Sequence, residues 1–167
     1  MSQNRGKQFE QIVKETFEKL PNVSIDRLHD QTTGFIGSSN ICDFIVYKEP
    51  YEYYIECKSV HGYTLSINSI DKTGKGEVYG NITKKQWEGL LEKSKIKGVF
   101  AGVICWWVDR NVTAYIPIQS LVIIREELGQ KSVRFDNNHI LPIAGKKKRV
   151  FFEYNMEVLL DEISARG

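Results

Sequence analysis

From Gly98 to Val108 the chain reads Gly-Val-Phe-Ala-Gly-Val-Ile-Cys-Trp-Trp-Val, without a charged residue. Successive side chains of a strand point to opposite faces of its sheet, so a strand with one wet face alternates apolar and polar residues. A run apolar at every position must instead be covered on both faces, as the central strand of a layered sheet is. Cover is available nearby. Phe9, Ile12, Val13, Phe17 and Leu20 recur at helical spacing before Pro21, predicting an amphipathic helix over about 4–19. Thr83-Lys84-Lys85-Gln86 has the form of a capping box, opening a helix that buries Trp87, Leu90 and Leu91. A third helix is expected over Pro117 to Leu128, and a last one from Asn155 to about Ala165.

Further strands are read at Val23 to Leu28, Val112 to Ile116, Ser132 to Phe135, Ile140 to Ile143 and Val150 to Phe152. Two longer connections join these pieces, a turn-rich loop from His29 to Asn40 and a glycine-rich stretch from Val60 to Gly80. The expected architecture is α/β, a single domain over 1–167 with a mixed central β-sheet flanked by helices. A chain of 167 residues is long enough to bury roughly two-thirds of its unfolded surface.

Two strand-like runs carry charge where apolar residues are expected. Ile41-Cys42-Asp43-Phe44-Ile45-Val46 and Tyr53-Tyr54-Ile55-Glu56-Cys57-Lys58 flank a turn at Glu49-Pro50. If they form an antiparallel hairpin centred on that turn, paired residue numbers sum to 99 and Asp43 faces Glu56. Directly opposed Cβ atoms lie about 4.5–5.5 Å apart. At an effective dielectric near 20, two carboxylates that close repel by roughly 3–4 kcal/mol. A divalent cation turns that penalty into a binding site. Alternation puts Lys58 on the face of Glu56 and turns Cys57 away.

The net charge of +2 identifies no partner by itself. Basic residues do cluster, at Lys84-Lys85, Lys93 to Lys97 and Lys146-Lys147-Lys148-Arg149, each a solvated face or a phosphate contact. The three cysteines, Cys42, Cys57 and Cys105, lie in apolar runs and read as buried, reduced thiols, with Cys42 and Cys57 as potential neighbours on the face away from the carboxylates. No apolar run is long enough to cross a bilayer. The polar opening Met1 to Gly6 is unlike a secretory leader, so a cytoplasmic protein is expected.

Taken in order, these residues resemble the PD-(D/E)xK nuclease superfamily and, within it, the RecU-type Holliday junction resolvases. Arg5-Gly6-Lys7-Gln8-Phe9-Glu10 is similar to the opening helix with its acidic residue, Asp43 and Glu56-Cys57-Lys58 to the signature, and Ile82 to Leu90 to the following helix with its glutamine. The resemblance implies a restriction-endonuclease-like core, a homodimer and Mg²⁺-dependent cleavage of branched DNA in recombination, with Mn²⁺ as a substitute. It also implies that Asp43, Glu56 and the Cys57 carbonyl bind metal, that Glu10 completes the shell through water, that Lys58 orients the attacking water or steadies the phosphate, and that Gln86 positions the site. DNA contacts are expected from Arg5, Lys7, Ser38, Ser39, Lys84, Lys85, Lys146, Lys147 and Lys148. The family's projection between the first two strands is longer than the segment from His29 to Asn40, where Phe35-Ile36 would form a short wedge. Two alternatives stay open: a nuclease of the same fold with another DNA target, and a DNA-binding recombination scaffold without turnover.

Overall fold

The structure, a computed structural model, describes residues 4–29, 40–67, 78–147 and 152–167. The expected contacts at Phe35, Ile36, Ser38, Ser39 and Lys148 lie outside the described residues. The chain forms α1 (Arg5–Glu18), β1 (Ser24–Arg27), β2 (Phe44–Lys48), β3 (Tyr51–Val60) and the short β4 (Thr64–Ser66). A small hairpin, β5 (Val78–Tyr79) and β6 (Ile82–Thr83), leads into α2 (Lys84–Ser94). Then follow β7 (Val99–Trp107), β8 (Val112–Pro117), α3 (Ile118–Val122) with a π-helical turn at Ile123–Glu127, β9 (Ser132–Arg134), β10 (Leu141–Pro142), β11 (Gly145–Lys147), β12 (Phe152–Tyr154) and α4 (Met156–Arg166).

Six strands form the main sheet in the order β1-β2-β3-β7-β8-β10. β3 and β7 run parallel, from Glu52↔Val99 to Val60↔Trp107, and the other neighbours are antiparallel. Parallel neighbours need a crossover, and α2 supplies it. The sheet is therefore mixed, with β7 at its centre as the apolar run requires. Val103, Cys105 and Trp107 of β7 pack with Trp87 and Leu90 of α2 and with Leu121 of α3 on one face. On the other face Ile104 joins Phe9, Val13 and Phe17 of α1 and Leu159, Leu160 and Ile163 of α4. Among the described residues no helix is long and apolar enough to cross a membrane.

The β2–β3 hairpin has the expected register, Phe44↔Ile55 through Lys48↔Tyr51, every pair summing to 99. Asp43 itself departs from expectation, because it sits at a bend just before β2 rather than within it. That bend breaks the alternation, so Cys42 packs on the α2 side and Cys57 on the α1 side instead of neighbouring one another. Both are free and buried, as is Cys105. Burial pushes the Cys42 thiol up to about 12 and raises the other two well above the ordinary thiol value, which keeps all three protonated.

Three further pieces differ from the sequence reading. Pro117 closes β8, so the helix starts at Ile118, and its second turn widens to π geometry. The segment Ser132–Arg134 leaves the main sheet to pair with β4, inside what was read as an unstructured connection. β11 and β12 pair as a separate hairpin.

Candidate active site

Asp43 is held by its backbone on both sides. Its N–H donates to the Ile55 carbonyl at 3.1 Å, and its carbonyl accepts the Leu28 N–H at 2.8 Å. Beyond this point the chain leaves β3, so the N–H of Cys57 lacks a neighbouring strand carbonyl. The carboxylate of Asp43 takes its place, Oδ2 accepting that N–H at 2.8 Å. The N–H and C=O of one strand residue point the same way, so the Cys57 carbonyl also faces the Asp43 side of β3.

Glu56 lies next to it on β3, only 4 % exposed. Its Oε1 accepts a hydrogen bond from Gln86 Nε2 at 2.9 Å and pairs with Lys58 Nζ at 3.0 Å. Burial raises Glu56 most, the Asp43 charge adds to it, and Lys58 opposes them, leaving the group at about 8. Asp43 is raised too, by burial, against the pull of the Cys57 N–H and of Lys58. Both carboxyl groups are thus harder to ionise than ordinary ones, Glu56 most of all.

Gln86 reaches this site from the first turn of α2, through a capping box. The Thr83 hydroxyl accepts the Gln86 N–H at 3.1 Å while Gln86 Oε1 accepts the Thr83 N–H at 3.0 Å. A backbone N–H only donates, so the cap fixes which end of the amide is oxygen and aims its NH₂ at Glu56. The cap and the site contact, two explanations for one residue in the sequence, hold together. Gly89, one turn on, lets α2 come this close, since a Cβ there would overlap the side chain of Ile41.

Glu10 of α1 pairs with an arginine of the neighbouring strand β1. Its Oε2 accepts from Arg27 Nη2 of β1 at 2.7 Å. Arg27 in turn lowers the Asp43 carboxyl through its charge, so it stands electrically between Glu10 and the pair. Nothing in the weakly alternating segment Val23 to Leu28 singles out Arg27, and sequence reading missed it.

Of the expected DNA contacts, Lys7 is exposed on α1 and Lys85 is exposed beside Gln86. Lys84 stands 4.0 Å from Glu88 along α2. Arg5 bonds the His61 ring at 3.3 Å, just past the end of β3. Lys146 and Lys147 belong to β11, in the separate two-stranded sheet.

The donor set suits a small hard cation. Two carboxyl groups are pressed together where burial penalises both charges, and a peptide carbonyl faces the same side. Among the described residues no third carboxylate, imidazole or thiolate joins them. Magnesium is commonly bound by one or two carboxylates with water and substrate phosphate completing its octahedron, so the residues present fit it.

Neither a protein-family model nor a curated protein sequence matches this chain. Among solved structures, it is similar to Hjc, a Holliday junction resolvase from the archaeal hyperthermophile Archaeoglobus fulgidus. The two share 18 % identity over 68 % of this chain and 78 % of that one, with a TM-score of 0.45.

Proposed function

We propose that the chain is a Mg²⁺-dependent DNA endonuclease that cuts four-way junctions. The observation that carries the chemistry is the buried Glu56 beside the half-buried Asp43, with Lys58 and Gln86 converging on one oxygen of Glu56. A carboxyl group buried in a core costs stability, and a structural role needs neither a second carboxyl beside it nor a lysine at its rim. The choice of a junction over another DNA comes from the ordered resemblance of four sequence elements.

In this reading Asp43, Glu56 and the Cys57 carbonyl hold the ion, for which Mn²⁺ substitutes. Bound there, the ion supplies Lewis acidity toward the phosphate and lowers the pKa of an attacking water. The protein's own groups do the rest. Gln86, fixed by its cap, and Lys58 both engage Oε1, so the Glu56 carboxylate cannot swing away when its proton leaves. The Lys58 ammonium, 21 % exposed at its side chain, stands at the open edge of the pair, placed to orient water and to offset charge developing on the phosphate. Glu10 acts through Arg27 or through water. Lys7 and Lys85 meet the DNA backbone nearby. Symmetric cutting of two strands calls for two such centres, hence a homodimer.

The test is cleavage of a labelled synthetic four-way junction in competition with its linear duplex arms, with Mg²⁺ and with chelator, for the wild type and Asp43→Ala. Paired nicks in the junction alone, lost in chelator and in the variant, are the expected result. Equal cutting of both DNAs points to another target, and tight binding with no cutting by any preparation removes the catalytic reading.

A further inference from the structure

Past Glu56 and Lys58, β3 continues to Val60 and then turns sharply. Gly62 adopts φ +78°, a conformation that strains any residue with a side chain. The carboxylate of Asp109 clamps this turn, Oδ2 accepting the Gly62 N–H at 2.6 Å and Oδ1 bonding His61 Nδ1 at 3.2 Å. Arg5 only donates, so its contact to His61 Nε2 leaves the proton of the neutral ring on Nδ1, directed at Asp109. The next residue is Tyr63, half exposed to solvent.

Three distant segments meet at Tyr63. Its carbonyl accepts the Phe135 N–H at 3.2 Å, and the β4–β9 pairing places Thr64 opposite Arg134. The Tyr63 and Phe135 rings lie 6.1 Å apart. The Arg110 guanidinium, adjacent in sequence to the clamping Asp109, stacks over Tyr63 at 3.8 Å and stands 5.4 Å from Phe135. Arg134 lies over the same rings at 5.9 and 5.5 Å. Arg134 is neutralised by Asp136 through hydrogen bonds of 2.9 and 3.1 Å. Among the described residues Arg110 has no ion pair. Stacking occupies the face of its guanidinium and leaves its in-plane N–H groups available to an anion.

A single cation–π pair is common surface packing, arising about once per 70–80 residues. Here two arginines and two rings converge on one exposed position, and a clamped turn holds that position in line with the strand carrying Glu56 and Lys58. An aromatic face beside an unpaired guanidinium is what a base with its flanking phosphate requires. We propose that Tyr63, Phe135 and Arg110 form a stacking platform for an unpaired base of the DNA, with Arg110 meeting the phosphate beside it. The identity of the polymer rests on the nuclease reading; the geometry of the platform does not. Val60 is roughly 13 Å along β3 from Glu56 at about 3.3 Å per residue, so a strand cut at the carboxylates reaches the platform within a few nucleotides.

The experiment is fluorescence anisotropy in chelator, using a fluorescein-labelled oligothymidylate and a duplex of equal length. A second single strand carries 2-aminopurine, whose emission falls when it stacks. Tyr63→Leu is expected to weaken binding of the single strand about 5- to 100-fold, with duplex binding changed less than about threefold. Tyr63→Phe keeps wild-type affinity, and 2-aminopurine is quenched by the wild type and Tyr63→Phe but not by Tyr63→Leu. Arg110→Gln weakens the single-strand complex and flattens its salt dependence. Unchanged single-strand binding by Tyr63→Leu, or equal losses on both DNAs, overturns the platform. Because no metal is present, this outcome is independent of cleavage: a wild type that stacks the base but never cuts removes the nuclease reading alone, and one that cuts without stacking removes the platform alone.

Discussion

Gln86 holds Glu56 through the same amide that caps α2, Nε2 donating to Oε1 of Glu56 at 2.9 Å while Oε1 of Gln86 accepts the Thr83 N–H at 3.0 Å. The position of the helix and the orientation of the carboxylate are thereby one constraint. Replacing each partner separates them. Thr83→Ala removes the hydroxyl cap and is expected to cost about 1 kcal/mol of stability with cleavage nearly unchanged. Gln86→Ala keeps the Thr83 hydroxyl on the N–H of residue 86 but removes the reciprocal half of the box and the contact to Glu56, so it should cost no more stability than Thr83→Ala and yet lower kcat about 10- to 100-fold. Thermal melts beside single-turnover cleavage decide this, and equal activity in the two variants would reduce Gln86 to a cap.

Asp43→Ala, Glu56→Ala and Lys58→Ala should each abolish cleavage while leaving DNA affinity in chelator within about threefold of wild type. Asp43 and Glu56 are the pair and Lys58 stands at its edge, whereas affinity for DNA comes mainly from phosphate contacts spread over the surface. Anisotropy in chelator beside cleavage in Mg²⁺ is the measurement. Comparable loss of binding in all three would mean that they hold the DNA rather than cut it.

The raised Glu56 carboxyl makes stability depend on pH. Glu56 is raised from its ordinary 4.5 to about 8, so the folded state binds more protons than the unfolded one between those values. Its contribution is fully present below about 4.5 and is lost as pH rises through about 8. In chelator the melting temperature should fall across that interval more steeply than in Glu56→Gln, whose neutral amide keeps a donor toward Asp43. At pH 8.5 the variant should melt several degrees above wild type, at about 2–4 °C per kcal/mol for a chain of this size. Parallel pH profiles for the two proteins would show that the pair carries no such proton.

Much of this was legible in the sequence, and the reason is locality. The Glu49-Pro50 turn and the strand alternation on either side fix the hairpin register within a short stretch, so the pairing from Phe44↔Ile55 to Lys48↔Tyr51 follows from counting, with Asp43 one residue outside it. The capping box is equally local, spanning Thr83 to Gln86. What escaped depends on segments far apart in the chain. The bend that turns the Asp43 carboxylate onto the Cys57 N–H exists because β2 and β3 diverge there. Arg27 matters only because α1 brings Glu10 to it, and the clamp on Gly62 comes from Asp109, beyond α2 and β7. Side chains of that kind carry no spacing to read.

Gly89 offers a test of the distance between α2 and the carboxylates. A methyl at this position overlaps Ile41, the second residue before Asp43, so Gly89→Ala has to push the helix or the strand entry outward. Alanine gains helix propensity, which alone would stabilise by about 1 kcal/mol. Overpacking costs about 1–3 kcal/mol, so the net expectation is modest destabilisation with a larger loss of activity, because Gln86 withdraws from Glu56. Gly89→Ala combined with Ile41→Val, which makes room, should restore part of the cleavage rate; no recovery would argue against close packing as the reason for the glycine.

Glu10 and Arg27 supply the remaining case, whether the first helix serves the site directly or through the arginine. Their contact at 2.7 Å joins side chains 20 % and 33 % exposed, so the pair itself adds little stability after solvent screening. Its effect on Asp43 is electrostatic, since the Arg27 charge favours the ionised carboxylate. If Glu10 acts by holding Arg27 in place, Glu10→Gln and Arg27→Gln raise the Mg²⁺ concentration for half-maximal cleavage by similar factors, and the double variant is no worse than either. Two groups acting through one contact behave in this non-additive way. If Glu10 instead holds water at the ion independently of Arg27, the two factors multiply in the double variant. A Mg²⁺ titration of single-turnover cleavage for the four proteins separates these outcomes, and the multiplicative result would assign Glu10 to the ion's own surroundings.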